Sequence, residues 1–212
     1  MVSQEEIKQL WLQTRARLTA KGLADQPEAT LSLRCPSGTS MWFGATTLPE
    51  PHLLDWRQPE QTRPARIHAA AHAARGDAGA VLWGGGPFSA CLGDFGGVLP
   101  QVFDEQARHI GPMSAPISRP ELLAGALRRG GNVVLWQGLP LCIGVTATRL
   151  ALNAELLEKC AKAYVLAAAS GGRVNPLPWL VRHIANGRLI KDERRAALAF
   201  QRGALPEESK AY

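Results

Sequence analysis

Helical and strand-like segments alternate along this chain from one end to the other, and that alternation most narrows the folds open to it. Ser3-Gln4-Glu5-Glu6 has the form of a capping box, in which the serine hydroxyl accepts from the third helical amide while the glutamate reaches back. Ile7, Leu10, Trp11, Thr14 and Leu18 then recur at helical spacing, and Gly22 suits the left-handed residue that ends a helix. Thr30-Leu31-Ser32-Leu33-Arg34 alternates polar and apolar residues as a half-buried strand does. The turn Pro36-Ser37-Gly38-Thr39 leads to Met41-Trp42-Phe43, which reads as the returning strand of a hairpin. Residues 46–64, rich in proline and polar side chains, read as mostly loop or short strands. The alanine-rich stretch 65–75 is helical, and Asp77-Ala78-Gly79 turns into the strand Ala80-Val81-Leu82-Trp83.

The second half repeats the alternation. Three glycines follow Trp83, and Pro87 can open a helix. Residues 91–97 are again glycine-rich, and a short helix is expected near 102–110. Ser118-Arg119-Pro120-Glu121 forms a second capping box, predicting a helix to about Arg129 that Gly130-Gly131 stops. Strands are expected at 132–136 and 140–145. The longest helix begins near Thr148, with Leu152, Leu156, Cys160 and Tyr164 spaced four apart and Glu155–Lys159 and Glu158–Lys162 as i,i+4 pairs. Gly171-Gly172 ends it. Two shorter helices near 177–186 and 190–202 and a polar tail complete the chain. With no internal repeat and no long linker, residues 1–212 read as one α/β domain.

Apolar residues make up 46% of the 212, enough for a sizeable core. No apolar run approaches the length of a membrane span, and the polar, acidic opening lacks the order of a signal peptide. A cytoplasmic chain with no membrane partner is the expectation. Cys35, Cys91, Cys142 and Cys160 are scattered without a C-x-x-C pair and read as small core residues. The net charge of +6 gathers most densely at 182–195, but Asp192 and Glu193 break the run. A solvated helical face is expected there rather than a nucleic-acid surface.

Three segments, in order, resemble the class II aldolase/adducin family. Arg66-Ile67-His68-Ala69 through Asp77-Ala78-Gly79-Ala80-Val81-Leu82 resembles its helix, turn and strand, commonly R-x-H-x-x-(I/V)-Y-x-x-R-P-D-x-x-A-V-V-H-T-H-S-P. Val133-Val134-Leu135-Trp136-Gln137-Gly138 resembles its strand ending in a histidine-glycine pair. Ala154-Glu155-Leu156-Leu157-Glu158-Lys159-Cys160-Ala161-Lys162-Ala163-Tyr164 resembles its long C-terminal helix, A-E-x-L-E-x-A-A-x-x-Y. A weaker match places Ala29-Thr30-Leu31-Ser32 where the family has Gly-Asn-(I/V)-Ser. The matches span about residues 5–172, leaving 173–212 as C-terminal helices and tail. The resemblance implies a three-layer α/β domain, a central, mainly antiparallel sheet flanked by helices. It also implies a homo-oligomer, a ring-shaped tetramer being frequent, and a metal-dependent lyase chemistry in which three histidines hold zinc and a glutamate moves protons.

Carried over residue by residue, that site is altered. The two histidines of H-T-H-S-P fall on Trp83 and Gly85, and the third on Gln137. Trp and Gly offer zinc no side-chain donor, and a lone glutamine oxygen is a poor one. The acid–base glutamate falls on Pro64, and the phosphate contacts on Thr62, Arg63, Ala29 and Thr30. The expectation is therefore a diverged member without metal or cofactor, acting as an oligomeric binding or interaction protein. His68 and His72, four apart on one helix, are expected in a structural or surface role rather than as ligands.

The pocket candidates are Trp83, Gly84, Gly85, Gly86, Trp136, Gln137, Thr30 and Arg66. Gly84–Gly86 before Pro87 can offer amides to a small anion, or can simply fill space left by imidazoles. The two indoles can stack on a ligand or plug the cavity. The alternative is a metal-independent lyase or isomerase acting on a small hydroxy or keto acid or sugar phosphate, with His109, Asp104, Glu105 and Gln137 as candidate groups.

Overall fold

The computed structural model describes residues 3–36, 38–58, 62–128 and 130–208. Ser37 of the expected turn, Arg129 at the expected helix end, residues 59–61 of the loop and the tail beyond 208 lie outside the described residues.

Helix α1 (Gln4–Ala20) opens with the capping box read from the sequence: Glu6 N donates to Ser3 Oγ, and Ser3 N donates to the Glu6 carboxylate. Ile7, Trp11, Thr14 and Leu18 form its buried stripe. Strands β1 (Thr30–Arg34) and β2 (Ser40–Ala45) make the expected hairpin, and β3 (His52–Asp55) extends it within the stretch read as loop or short strands. Helix α2 (Arg63–Ala74) leads into β4 (Ala80–Trp83). The short helix α3 (Pro87–Ala90) and a 3-10 turn (Cys91–Phe95) follow, then α4 (Asp104–His109), α5 (Leu123–Ala126), β5 (Val133–Trp136), β6 (Leu139–Gly144), α6 (Ala147–Ala169) and α7 (Trp179–Gln201).

The six strands form one sheet in the order β3-β2-β1-β4-β6-β5, every neighbouring pair antiparallel. Side chains alternate across it, so each strand feeds two cores. Leu31, Leu33, Ala80, Leu82, Val133, Leu135 and Cys142 face α1 and α6. Val81, Trp83, Val134, Trp136, Leu141 and Ile143 face α2 and α5. The result is the expected three-layer α/β arrangement. Trp11 ties α1 to the sheet, its indole donating to Leu31 O at 3.0 Å.

Two expectations are corrected. The helix predicted from Ser118 does not start there. Ile117 pairs with Trp136 at the sheet edge, Ser118 O accepts from Gln137, and Arg119 caps a 3-10 turn (Pro120–Leu122) ahead of the one-turn α5. Pairing with β5 holds the capping-box serine extended. The two helices expected at 177–186 and 190–202 are one 23-residue helix, α7. Asn186 and Gly187 suggest a break, but the Asn186 side chain accepts from Gln101, and Leu189, Glu193, Ala196 and Phe200 continue one buried stripe. Tertiary contact outweighs the modest cost of a mid-helix glycine.

The i,i+4 pairs expected on the longest helix give way to other partners. Glu155 pairs with Arg17 of α1 and with Lys21 that caps it, and Lys159 with Glu105 of α4.

Candidate functional site

Antiparallel pairing fixes which residues share an end of the sheet. Thr30 opens β1 opposite Trp83, which closes β4, and Trp83 pairs with Leu141 of β6. Trp136 closes β5 opposite Leu139. Thr30, Trp83, Gly84–Gly86, Trp136 and Gln137 are therefore brought to one end of the sheet, together with the N-terminal turn of α2, where Arg63 Nη2 donates to Gln137 Oε1. Arg66 lies exposed on that same turn.

The indoles plug rather than line this end. Trp83 and Trp136 are 7% and 2% exposed, packed with Ile67, Ala71, Leu123 and Leu127. Trp83 Nε1 donates to Trp136 O at 3.4 Å, tying β4 to the end of β5, while the Trp136 indole N–H is buried without a partner among the described residues. Gln137 and Gly138 form the two-residue turn between β5 and β6 with φ of 50° and 90°. A type I′ hairpin turn requires positive φ at both positions, which glycine takes freely and glutamine does not. The Gln137 carboxamide is itself engaged, donating to Ser118 O as well as accepting from Arg63.

The glycine turn has no open anion cradle. Gly84 N donates to Pro140 O at 2.8 Å. Gln26 grips Gly85 on both sides, accepting from its N and donating to its O. Gly86 N donates to Ser89 Oγ at 3.0 Å. Phe88 N and Ser89 N both donate to the Glu158 carboxylate of α6, at 2.8 and 2.9 Å. The amides that such a turn offers to an anion are thus met by an anion from the chain itself. Gly86 is required for this approach, because a Cβ there would fall 2.4 Å from the Glu158 carboxyl carbon. Glu158 thus meets α3 rather than Lys162, and Gln26 is a contact outside the expected set. Glu158's place in the helix motif was the available signal for the former, and no local pattern marked the latter.

His68 and His72 are fully buried, and their tautomers can be argued from one end of a chain of hydrogen bonds. His72 Nδ1 faces Ala78 O at 3.2 Å, and a carbonyl only accepts, so Nδ1 carries the proton. His72 Nε2 then accepts from Ser32 Oγ at 2.9 Å, Ser32 Oγ accepts from His68 Nδ1 at 2.8 Å, and His68 Nε2 accepts from Thr30 Oγ1 at 2.9 Å. All four ring nitrogens are used. Burial first, and His72 beside it, push the His68 pKa well below the usual histidine range. Burial, with Arg34 nearby, lowers that of His72 to about 3. Both rings are neutral and structural, and Thr30 is committed to them.

The groups proposed for metal-independent catalysis do not meet. His109 of α4 is held through its backbone carbonyl by Asn132, which precedes β5, whereas Gln137 follows the other end of that strand. Arg149 Nη1 points at His109 Nδ1 at 2.6 Å; arginine only donates, so this nitrogen is an acceptor and the ring neutral. Burial and the Arg149 charge lower the His109 pKa to about 4. Asp104 accepts from the Glu105 amide in the first turn of α4, and Glu105 pairs with Lys159. Burial also raises the thiols of Cys35 and Cys160, the latter to about 12, in keeping with core roles.

Could these residues hold the zinc that the resemblance implies? Among the described residues, no group of three His, Cys, Asp or Glu side chains is arranged to hold a metal ion. The donor set at the carried-over positions is an indole N–H, a glycine and an amide oxygen already bonded to arginine, and it does not fit zinc.

No protein-family model matches the chain, and no curated protein matches it in sequence. Solved structures do match its fold. An L-fuculose 1-phosphate aldolase from Glaciozyma antarctica superposes with TM-score 0.72 at 17% identity, covering 93% of this chain and 88% of that one. An aldolase II superfamily protein from Pseudomonas syringae gives 0.68 at 18% identity, covering 97% and 96%. The L-fuculose-1-phosphate aldolase of Thermus thermophilus gives 0.64 at 16%, covering 79% and 98%. The fold is that of the class II aldolases.

Proposed function

We propose that this chain is a diverged class II aldolase-fold protein that does not perform metal-dependent aldol cleavage and acts as an oligomeric binding or interaction protein. The observation that carries this reading is the engagement of the glycine turn and its neighbours. Two indoles are buried at this end of the sheet, Gln26 takes the Gly85 amide, Glu158 takes those of Phe88 and Ser89, and Arg63 donates to the Gln137 oxygen. Each position carries a replacement interaction that suits packing, and the three carried-over positions supply none of the nitrogen, sulfur or carboxylate donors that zinc takes. The surface left for recognition at this end is the rim bearing Arg63 and Arg66, which suits a small anion or an acidic partner. The lyase or isomerase alternative needs His109 or the α4 carboxylates at that same rim, and their placement on α4 does not support it.

The test is elemental analysis after incubation with excess zinc and desalting, together with a retro-aldol assay on L-fuculose 1-phosphate with and without added zinc. A metal content well below one per chain and no zinc-dependent cleavage are expected. One zinc per chain, or zinc-dependent turnover, refutes the proposal. Sedimentation equilibrium tests self-association, for which a tetramer is expected and a monomer at working concentration counts against the oligomeric part.

A further inference from the structure

We infer that the exposed N-terminal half of α7 is a docking element for anionic phospholipid surfaces. One face of this helix is spoken for by the buried stripe of Leu189, Glu193, Ala196 and Phe200. Away from that stripe, its first turns carry large apolar side chains in solvent: Trp179 is 67% exposed, Leu180 59% and Ile184 53%, with Val181 beside them. Trp179 stacks on His183 of its own helix, at 5.0 Å between centroids.

The arrangement favours a bilayer over a folded partner. Successive helical residues are rotated by about 100°, so exposure at 179, 180 and 181 runs around more than half of the helix. A partner helix or groove covers one stripe, whereas the soft boundary between headgroups and acyl chains receives a helix end from all sides. Trp with Leu, Val and Ile is also the side-chain set that enters that boundary.

Charge points the same way. From residue 173 to 191 the sequence has no Asp or Glu, while Arg173, Arg188 and Lys191 are exposed, and Arg194 and Arg195 follow. Asp192 is engaged by Arg108 and Arg195, and Glu193 turns inward to Arg75. The neighbouring carboxylate is Asp104 of α4, which lines a cavity of about 240 Å³ with Val181 and Ile184. A second copy docked two-fold on this face would bring the cations Arg188, Lys191 and Arg194 against a like-charged surface, with Asp104 the carboxylate beside Arg188 to receive them. An anionic leaflet supplies the missing charge. Attachment would be peripheral, since no described helix is long and apolar enough to cross a membrane. Such attachment departs from the expectation of no membrane partner.

The experiment is flotation of the full chain with phosphatidylcholine vesicles, with and without phosphatidylserine. Binding is expected only to the phosphatidylserine vesicles, falling as salt rises. The triple variant Arg188→Glu, Lys191→Glu, Arg194→Glu should lose more than the roughly fivefold per cation that neutralisation alone predicts. The double variant Trp179→Ser, Leu180→Ser should lose binding at unchanged helix content, since both side chains are exposed. No binding, equal binding to neutral vesicles, or insensitivity to the charge reversals overturns the inference. So does dissociation of a wild-type oligomer by the double variant, which would assign the face to a second copy. Retention on DNA in place of vesicles overturns it as well.

Discussion

Glu193→Gln should stabilise this protein above neutral pH and do much less at pH 5. Arg75 sits at the centre of a buried cluster. It makes two contacts to Asp77, at 2.8 and 2.6 Å, donates to Leu127 O, Gly131 O and Asn132, and forms an ion pair with Glu193 Oε1 at 2.9 Å. One cation thus faces two carboxylates, and Asp77 has the better geometry. Burial is the largest influence on Glu193; Arg75 opposes it, Asp77 adds to it, and the pKa rises from 4.5 to about 7. Arg75, by contrast, stays above its usual range despite burial because Asp77 and Glu193 hold its charge, so the arginine is the satisfied member and Glu193 the frustrated one. An acid whose folded pKa exceeds its unfolded value favours folding below the unfolded value, and that advantage is lost as pH rises through the folded one. Here the window runs from about 4.5 to about 7, and at 1.36 kcal/mol per unit the loss is about 3 kcal/mol by pH 8. Glutamine carries no such penalty. Urea unfolding of both proteins between pH 5 and 8 should show their stability difference moving in the variant's favour by about 2–3 kcal/mol. The difference matters more than either curve, because His68, His72 and His109, with folded pKa values pushed down, lose stability in the opposite sense as pH falls below about 6.5. A difference that is flat with pH, or that favours the wild type at pH 8, refutes the frustrated-carboxylate argument.

Ser32→Ala should cost about 2–4 kcal/mol, because it strands a nitrogen of both His68 and His72 in the core; a chemical denaturation midpoint close to wild type would sink the hydrogen-bond chain as described. Gln137→Asn should raise stability by about 0.5–1 kcal/mol, since asparagine tolerates the left-handed conformation better at the first position of a type I′ turn. A thermal melt that falls instead would mean that the Arg63 and Ser118 contacts of the longer carboxamide outweigh the backbone preference.

The scaffold was legible because its signals are local. The capping box at Ser3, the alternation of Thr30–Arg34 and the apolar blocks at Ala80–Trp83 and Val133–Trp136 each state their conformation within a few residues. Where partners lie far apart in sequence, local reading went astray. Ser118 resembles a cap until the β5 edge claims it, and Asn186-Gly187 resembles a stop until Gln101 and the buried stripe carry the helix through. Trp83, Gly84–Gly86, Trp136 and Gln137 lie at one end of the sheet because antiparallel register places those strand ends together. What fills their cleft was not readable, since Gln26 is 59 residues from Gly85 and Glu158 is 69 from Ser89.

The Glu158 carboxylate fixes the segment after the glycine turn with an anion from the chain itself. An α3 start with free amides would attract a diffusible anion, and leaving those amides unmet would cost stability. Supplying the anion from α6 satisfies the amides permanently, fixes α3 against α6 and requires glycine at position 86 so that the carboxylate can approach.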